Sequence, residues 1–210
     1  LPPERDVRHE KPRIGVFICH CGTNIASVVN VPEVVEYVRK LPDVVYAENG
    51  LYICSTDTQE KIKKAINEFN LNRIVVASCT PRTHETLFRN TLREAGLNPY
   101  LFEMANIREH CAWVHSDNKV KATEKAKDLV RMAVAKARLL EPLEVKYLPI
   151  KKSALVIGGG VAGMVSALSL ANQGFNVYLI EKDKELGGNF RKINYLLNGE
   201  NPKEFLKSLI

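Results

Sequence analysis

Five cysteines stand in a chain of 210 residues: Cys19, Cys21, Cys54, Cys79 and Cys111. Thiolates are soft ligands, suited to zinc and to iron–sulfur clusters. The spacing matches no usual metal signature, because Cys19-x-Cys21 is too tight for a zinc knuckle and no Cys-x-x-Cys occurs. Position says more. Cys21, Cys54 and Cys79 each follow an apolar run and precede a helical pattern, and Cys111 lies just past a fourth run. In a parallel sheet all four gather at the carboxyl edge, where ligands bind and helix N-termini favour thiolates. From position alone, a four-cysteine metal site and a set of small buried hydrophobes stand equal. Structural zinc suits a redox neighbour less well than a one-electron cluster, and disulfides suit an intracellular fold poorly.

A second motif is Gly158-x-Gly160-x-x-Gly163. It follows the apolar run Ser153–Ile157 and leads at once into a helical pattern in which Val161, Val165 and Leu168 recur. Gly174 closes that helix, Asn176–Ile180 reads as a second strand, and Glu181 follows it. Strand, tight turn, helix, strand and acid make the dinucleotide fingerprint. Gly158 serves the turn, Gly160 leaves a pyrophosphate room to approach, and Gly163 lets helix and strand pack. The N–H groups of Val161, Ala162 and Gly163 open the helix toward the phosphates. Glu181 is placed to accept from a ribose, with Lys182 beside it. The following Leu186-Gly187-Gly188 resembles flavoproteins of the thioredoxin-reductase type, in which such an acid holds the adenosine ribose of FAD and the glycine pair lies along the cofactor. An NAD site is the alternative.

The elements that must position these residues alternate. Residues 1–12 lack apolar periodicity and read as a tail. Strands are expected at 13–19, 44–47, 73–78 and 99–104. Helices follow Pro32, an expected capping box at Asp57 and Glu60, the Thr80-Pro81 pair, and a cap at Asn106 with Glu109. A longer helix is expected from Ala122 to Leu140, ended by Glu141-Pro142. This order implies an α/β fold: an N-terminal parallel-sheet domain of strand–helix units over residues 13–141, then the first βαβ unit of a Rossmann-like FAD-binding domain over 142–210.

Composition excludes several classes. Hydrophobic residues are 45% and charged residues 26%, as in ordinary globular proteins. No apolar run is long enough for a membrane span, and no signal peptide is visible. The net charge of +6 is spread along helices without interleaved aromatics, so nucleic-acid binding is not expected. Only the adenosine and pyrophosphate half of a flavin site is present, which suggests a fragment or one piece of a split polypeptide.

Four separate stretches carry a wider resemblance: Phe17-Ile18-Cys19-His20-Cys21-Gly22-Thr23-Asn24, Tyr52-Ile53-Cys54-Ser55, Ser78-Cys79-Thr80-Pro81-Arg82-Thr83-His84-Glu85, and Asn106-Ile107-Arg108-Glu109-His110-Cys111-Ala112-Trp113. With the glycine motif directly behind them, they resemble the N-terminal region of the A subunits of heterodisulfide reductases, from about Arg13 to Gly188. The resemblance implies a cytoplasmic iron–sulfur flavoprotein with a [4Fe–4S] cluster and FAD. It also implies a hetero-oligomer with the other heterodisulfide reductase subunits, with hydrogenase or formate dehydrogenase, and with ferredoxin. Flavin-based electron bifurcation to ferredoxin and the CoM-S-S-CoB disulfide would be the activity of the full complex, and this chain alone would not be catalytic. The ligands it suggests are Cys21, Cys54, Cys79 and Cys111, with Cys19 spare because it alternates away from Cys21. His20, Arg82, His84 and His115 could tune the cluster by hydrogen bonds, or be satisfied by backbone. Two other readings remain: a docking module with structural cysteines, and a flavin-dependent pyridine-nucleotide oxidoreductase, which lacks its redox Cys-x-x-Cys.

Overall fold

The computed structural model describes residues 1–210 as two compact units, Leu1–Val145 and Lys146–Ile210. The first is built on four parallel strands: β1 (Ile14–Cys19), β2 (Val44–Gly50), β3 (Arg73–Ser78) and β4 (Phe102–Asn106). Their order is β2-β1-β3-β4. Every residue of β1 and of β3 is buried, as continuous apolar runs require when helices cover both faces of a parallel sheet.

The helices are α1 (Val31–Val38), α2 (Thr56–Glu68), α3 (Pro81–Glu94) and α4 (Lys119–Ala137). The chain steps one way from β1 to β2 and the other way from β2 to β3 and β4. Right-handed crossovers therefore put α1 on one face and α2 and α3 on the other, and α4 joins α1. The buried faces follow helical spacing, with Val31, Val34, Val35 and Val38 on α1 and Ile62, Ala65 and Ile66 on α2. The connections diverge between β1 and β3, which makes their carboxyl ends the switch point where such sheets bind ligands.

Local details differ from the sequence reading. The fourth strand begins at Phe102 instead of Pro99, because residues 97–101 form a turn in which Leu101 N–H donates to Asn98 at 3.1 Å. The expected Asp57–Glu60 capping box does not form. Ser55 is the N-cap of α2, and its hydroxyl is spent on the Tyr52 carbonyl and on Asp57 (2.7 and 2.6 Å). Asn106 does accept from Glu109 N–H at 3.0 Å, but it opens a π-helical turn, Arg108–Ala112, and not an α-helix. Residues 1–12 have almost no regular structure yet are anchored: Val7 is buried, Arg5 N–H donates to Gly96, and the Arg5 guanidinium holds Asn70 and Leu71.

The second unit contains β5 (Ser153–Ile157) paired in parallel with β6 (Asn176–Ile180), α5 (Val161–Asn172) between them, a 3-10 turn at Gly188–Lys192, and α6 (Pro202–Leu209). Both strands alternate half-buried with exposed residues, so Leu155, Ile157, Tyr178 and Ile180 share one uncovered face. On α5 only Met164 is buried, and Val165 and Leu168 are exposed. No helix is long and apolar enough to cross a membrane.

Candidate functional site

Strand register builds the thiol edge. Cys19 is the last residue of β1 and pairs with Gly50 of β2, Ile18 pairs with Ala77 of β3, and Ser78 pairs with Asn106 of β4. Cys79 therefore leaves β3 one row above the end of β1, and Cys21 continues in extended backbone past Cys19. Cys19 and Cys79 are both close enough to act on the Cys21 thiol through charge. The expectation that Cys19 turns away from Cys21 is thus wrong: positions two apart on extended chain share a face.

Cys54 and Cys111 stand differently. Cys54 is half-buried on the loop that enters α2, where Gln59 donates to its carbonyl at 2.9 Å. Cys111 is fully buried in the π-helical turn, and its thiol donates to the Ala122 carbonyl on α4 at 3.0 Å. Strand register thus leaves Cys19, Cys21 and Cys79 at one carboxyl edge, with Cys19 and Cys79 each within charge range of Cys21. The Cys111 thiol is turned to Ala122, and no three His, Cys, Asp or Glu side chains converge on one ion.

Burial sets the protonation of these thiols. It pushes Cys21 up to about 12, helped by Cys19 and opposed by the Arg108 charge, and it pushes Cys111 up to about 11 against the pull of Lys125. At Cys21 and Cys111 no helix N-terminus favours the thiolate, because Cys21 precedes a three-residue 3-10 turn and Cys111 lies inside a π-helical one. Both have too few aligned peptides to offset desolvation. Among the flanking groups, Arg82 is exposed and His20, His84 and His115 are half-buried. The sequence reading missed Arg108, whose charge reaches Cys21 and Cys79. It stands two residues past the end of β4, and only the pairing of β4 with β3 brings it to this edge.

The donor chemistry fits a cluster in kind: soft thiols at a switch point beside a guanidinium. A cuboidal cluster also holds its thiolates further apart than a single ion does, so the lack of a one-ion site does not speak against it. Cys111 could join only by giving up its bond to Ala122.

The glycine turn is better formed. Gly158 has φ +102°, a conformation that side chains rarely adopt. A Cβ on Gly163 would overlap the Gly158 carbonyl oxygen and lie 3.1 Å from its carbon, so helix and strand meet there backbone to backbone. A Cβ on Gly160 would meet nothing within 4 Å, which leaves open space above the N-terminus of α5, where Val161 and Ala162 present their N–H groups. Glu181 follows β6. Its two oxygens accept from Asp183 N–H (3.0 Å) and Gly159 N–H (2.6 Å), which hold its carboxyl below the usual range. Each oxygen keeps a lone pair for a ribose hydroxyl. Lys182 is exposed beside it. Gly187 N–H donates to the Gly159 carbonyl at 2.7 Å, and Gly188 lies against Gly160. The second glycine pair therefore lines the same cradle, and the residues present fit the adenosine and pyrophosphate part of a dinucleotide.

Fold and turn together define a parallel α/β domain with thiols at its carboxyl edge, followed by a Rossmann-like dinucleotide-binding unit. The NAD(P)-binding Rossmann-like domain family matches residues 156–205. The chain is 58% identical over 185 residues to the second iron-sulfur A subunit of the CoB–CoM heterodisulfide reductase of Methanopyrus kandleri, covering 88% of this chain and 28% of that relative. It is 55% identical over 194 residues to the A subunit of the H(2):CoB-CoM heterodisulfide,ferredoxin reductase of Methanothermobacter marburgensis (92% and 29%). It is 48% identical over 182 residues to the iron-sulfur A subunit of the CoB–CoM heterodisulfide reductase of Methanocaldococcus jannaschii (87% and 28%). The chain is homologous to the A subunits of heterodisulfide reductases, and it spans between a quarter and a third of the length of these curated relatives.

Proposed function

We propose that this chain is the cluster-and-nucleotide part of a cytoplasmic electron-transfer flavoprotein, of the type of the heterodisulfide reductase A subunits. The observation that carries the reading is the placing of Cys19, Cys21 and Cys79 on one carboxyl edge at the β1/β3 switch point, with Cys19 and Cys79 within charge range of Cys21, in one chain with a glycine cradle left open at Gly160. When bound, a [4Fe–4S] cluster passes single electrons and FAD exchanges pairs. Cys21 and Cys79 are ligands, Cys54 supplies a third from the adjoining loop, and Cys111 completes the set once its thiol leaves Ala122. Cys19, already beside Cys21, is the competitor for that fourth place. In the nucleotide unit, Gly158, Gly160 and Gly163 shape the turn, and the N–H groups of Val161 and Ala162 face the pyrophosphate. Glu181 holds the ribose with Lys182 at its side, and Gly188 lies along the cofactor. The whole complex would include the other heterodisulfide reductase subunits, ferredoxin, and a hydrogenase or formate dehydrogenase, and it would split electron pairs at the flavin between ferredoxin and the CoM-S-S-CoB disulfide.

The test is iron and acid-labile sulfide per chain after reconstitution without oxygen. About four of each per chain, lost in Cys79→Ala, supports the reading, and no iron after reconstitution refutes it. Comparing Cys19→Ser with Cys111→Ser then decides the fourth ligand, since only the variant that loses a ligand changes the cluster's spectrum. The Cys111–Ala122 hydrogen bond favours one rival, a docking module with structural cysteines, and a colourless protein would bear that rival out.

A further inference from the structure

Arg108 is the cation that acts on the thiol edge, and its setting is built. Ile107 N–H donates to the Ser78 carbonyl at 2.9 Å, so the chain enters the π-helical turn directly beside Cys79. The guanidinium donates twice to one oxygen of Glu109, at 2.7 and 3.1 Å. It also lies over the Trp113 ring, 5.1 Å from its centroid. Both side chains of the pair are 23% exposed. Glu109 is itself fixed, because its N–H is taken by Asn106, while its second oxygen is buried with no partner. A surface ion pair tumbles in water, whereas this guanidinium is held by a carboxylate and an aromatic ring within charge range of Cys21 and Cys79.

We propose that the Arg108–Glu109 pair sets the electrostatic potential of the thiol edge, with Arg108 favouring added negative charge at Cys21 and Cys79 and Glu109 limiting that effect. The inference rests on the cluster reading above. Arg108 is not a ligand here. It acts through the field at the ligands, in the way outer-shell groups tune metal centres. Removing the cation leaves Glu109 uncompensated, so reduction, which adds an electron, becomes harder. Neutralising Glu109 frees the cation, and reduction becomes easier.

The experiment is a redox titration, followed by visible and electron paramagnetic resonance spectra, of the reconstituted 210-residue chain and its R108Q, R108K and E109Q variants. Iron content is measured first. With iron retained, R108Q shifts the ratio of reduced to oxidised cluster at a fixed potential about tenfold toward oxidised, equivalent to about 59 mV for one electron. E109Q shifts it the other way, and R108K stays near the parent. A merely structural pair would move both neutralised variants in the same direction, so shifts of one sign, or none, overturn the proposal while leaving the cluster reading intact. If R108Q loses its iron, the opposite shift of E109Q and the parental value of R108K still decide. A parent chain that holds no iron overturns both.

Discussion

Two glycines three positions apart make opposite demands, and this separates nucleotide binding from folding. At Gly160 the backbone has φ −70° and ψ 177°, which alanine adopts freely, and a Cβ would meet nothing within 4 Å. Gly160→Ala should therefore leave the unliganded chain unchanged. The new methyl group occupies the space a pyrophosphate needs to reach the N–H groups of α5. Holding the phosphate off one charge-assisted hydrogen bond forfeits about 1.5–3 kcal/mol, or roughly 10- to 150-fold in affinity. At Gly163 the same methyl group overlaps the Gly158 carbonyl. That oxygen belongs to backbone and cannot swing aside, so α5 must lift from β5 at an overpacking cost of about 1–3 kcal/mol.

The assay is titration with FAD, and with ADP as the adenosine-pyrophosphate half, followed by fluorescence and calorimetry, with far-ultraviolet circular dichroism of each unliganded variant. Gly160→Ala should keep the parental spectrum and bind at least tenfold more weakly. Gly163→Ala should lose helical signal as well as binding. Equal affinity of Gly160→Ala and the parent would refute the placing of the pyrophosphate over this turn. A Gly163→Ala variant with parental spectrum and affinity would refute the backbone contact.

Two further outcomes follow from buried groups in the first unit. Burial raises Cys111 from 9.0 to about 11, so its stabilisation is whole below pH 9 and is lost as the pH climbs through 11, because the unfolded thiol ionises first. Urea melts of metal-free protein between pH 8 and 11 should show the parent losing up to about 2–3 kcal/mol more than Cys111→Ala, and parallel losses would rule the effect out. Arg73 is 4% exposed, its Nε has no partner, and its one bond goes to the Asn72 carbonyl. Arg73→Met should be neutral or stabilising by about 1–4 kcal/mol in the unfolding free energy from denaturant melts, and a loss above about 2 kcal/mol would show that the guanidinium is satisfied in solution.

The strand–helix order was legible because the buried strands Ile14–Cys19 and Arg73–Ser78 are nearly unbroken apolar runs and the helices repeat at their own period. The fourth strand was misplaced because Pro99 and Tyr100 continue an apolar run that the chain uses for a turn through the Asn98 side chain, which accepts from Tyr100 N–H at 3.0 Å. Side-chain competition of that kind leaves no periodic trace. The π-helical turn at Arg108–Ala112 was invisible for a similar reason: one cap at Asn106 is compatible with an α-helix, and only the packing of Cys111 against α4 selects the wider turn.

The two sites differ in how far a linear sequence can specify them. The glycine cradle is local, spanning one βαβ unit, and each of its residues answers to a contact within that unit: Gly163 to Gly158, Gly187 to Gly159, Glu181 to Gly159. Its motif therefore reads directly as geometry. The thiol edge is assembled from four loops after four strands, so sequence gives the edge but not which side chains turn inward. That choice belongs to tertiary neighbours. Cys19 lies within charge range of Cys21 because both continue one extended strand, and Cys111 faces Ala122 because α4 covers the turn that holds it. The cation of the edge was hidden by the same logic, since Arg108 comes near Cys79 only through the β3–β4 pairing. Cysteine spacing alone counts the thiols correctly but carries no trace of the charge that sets their common potential.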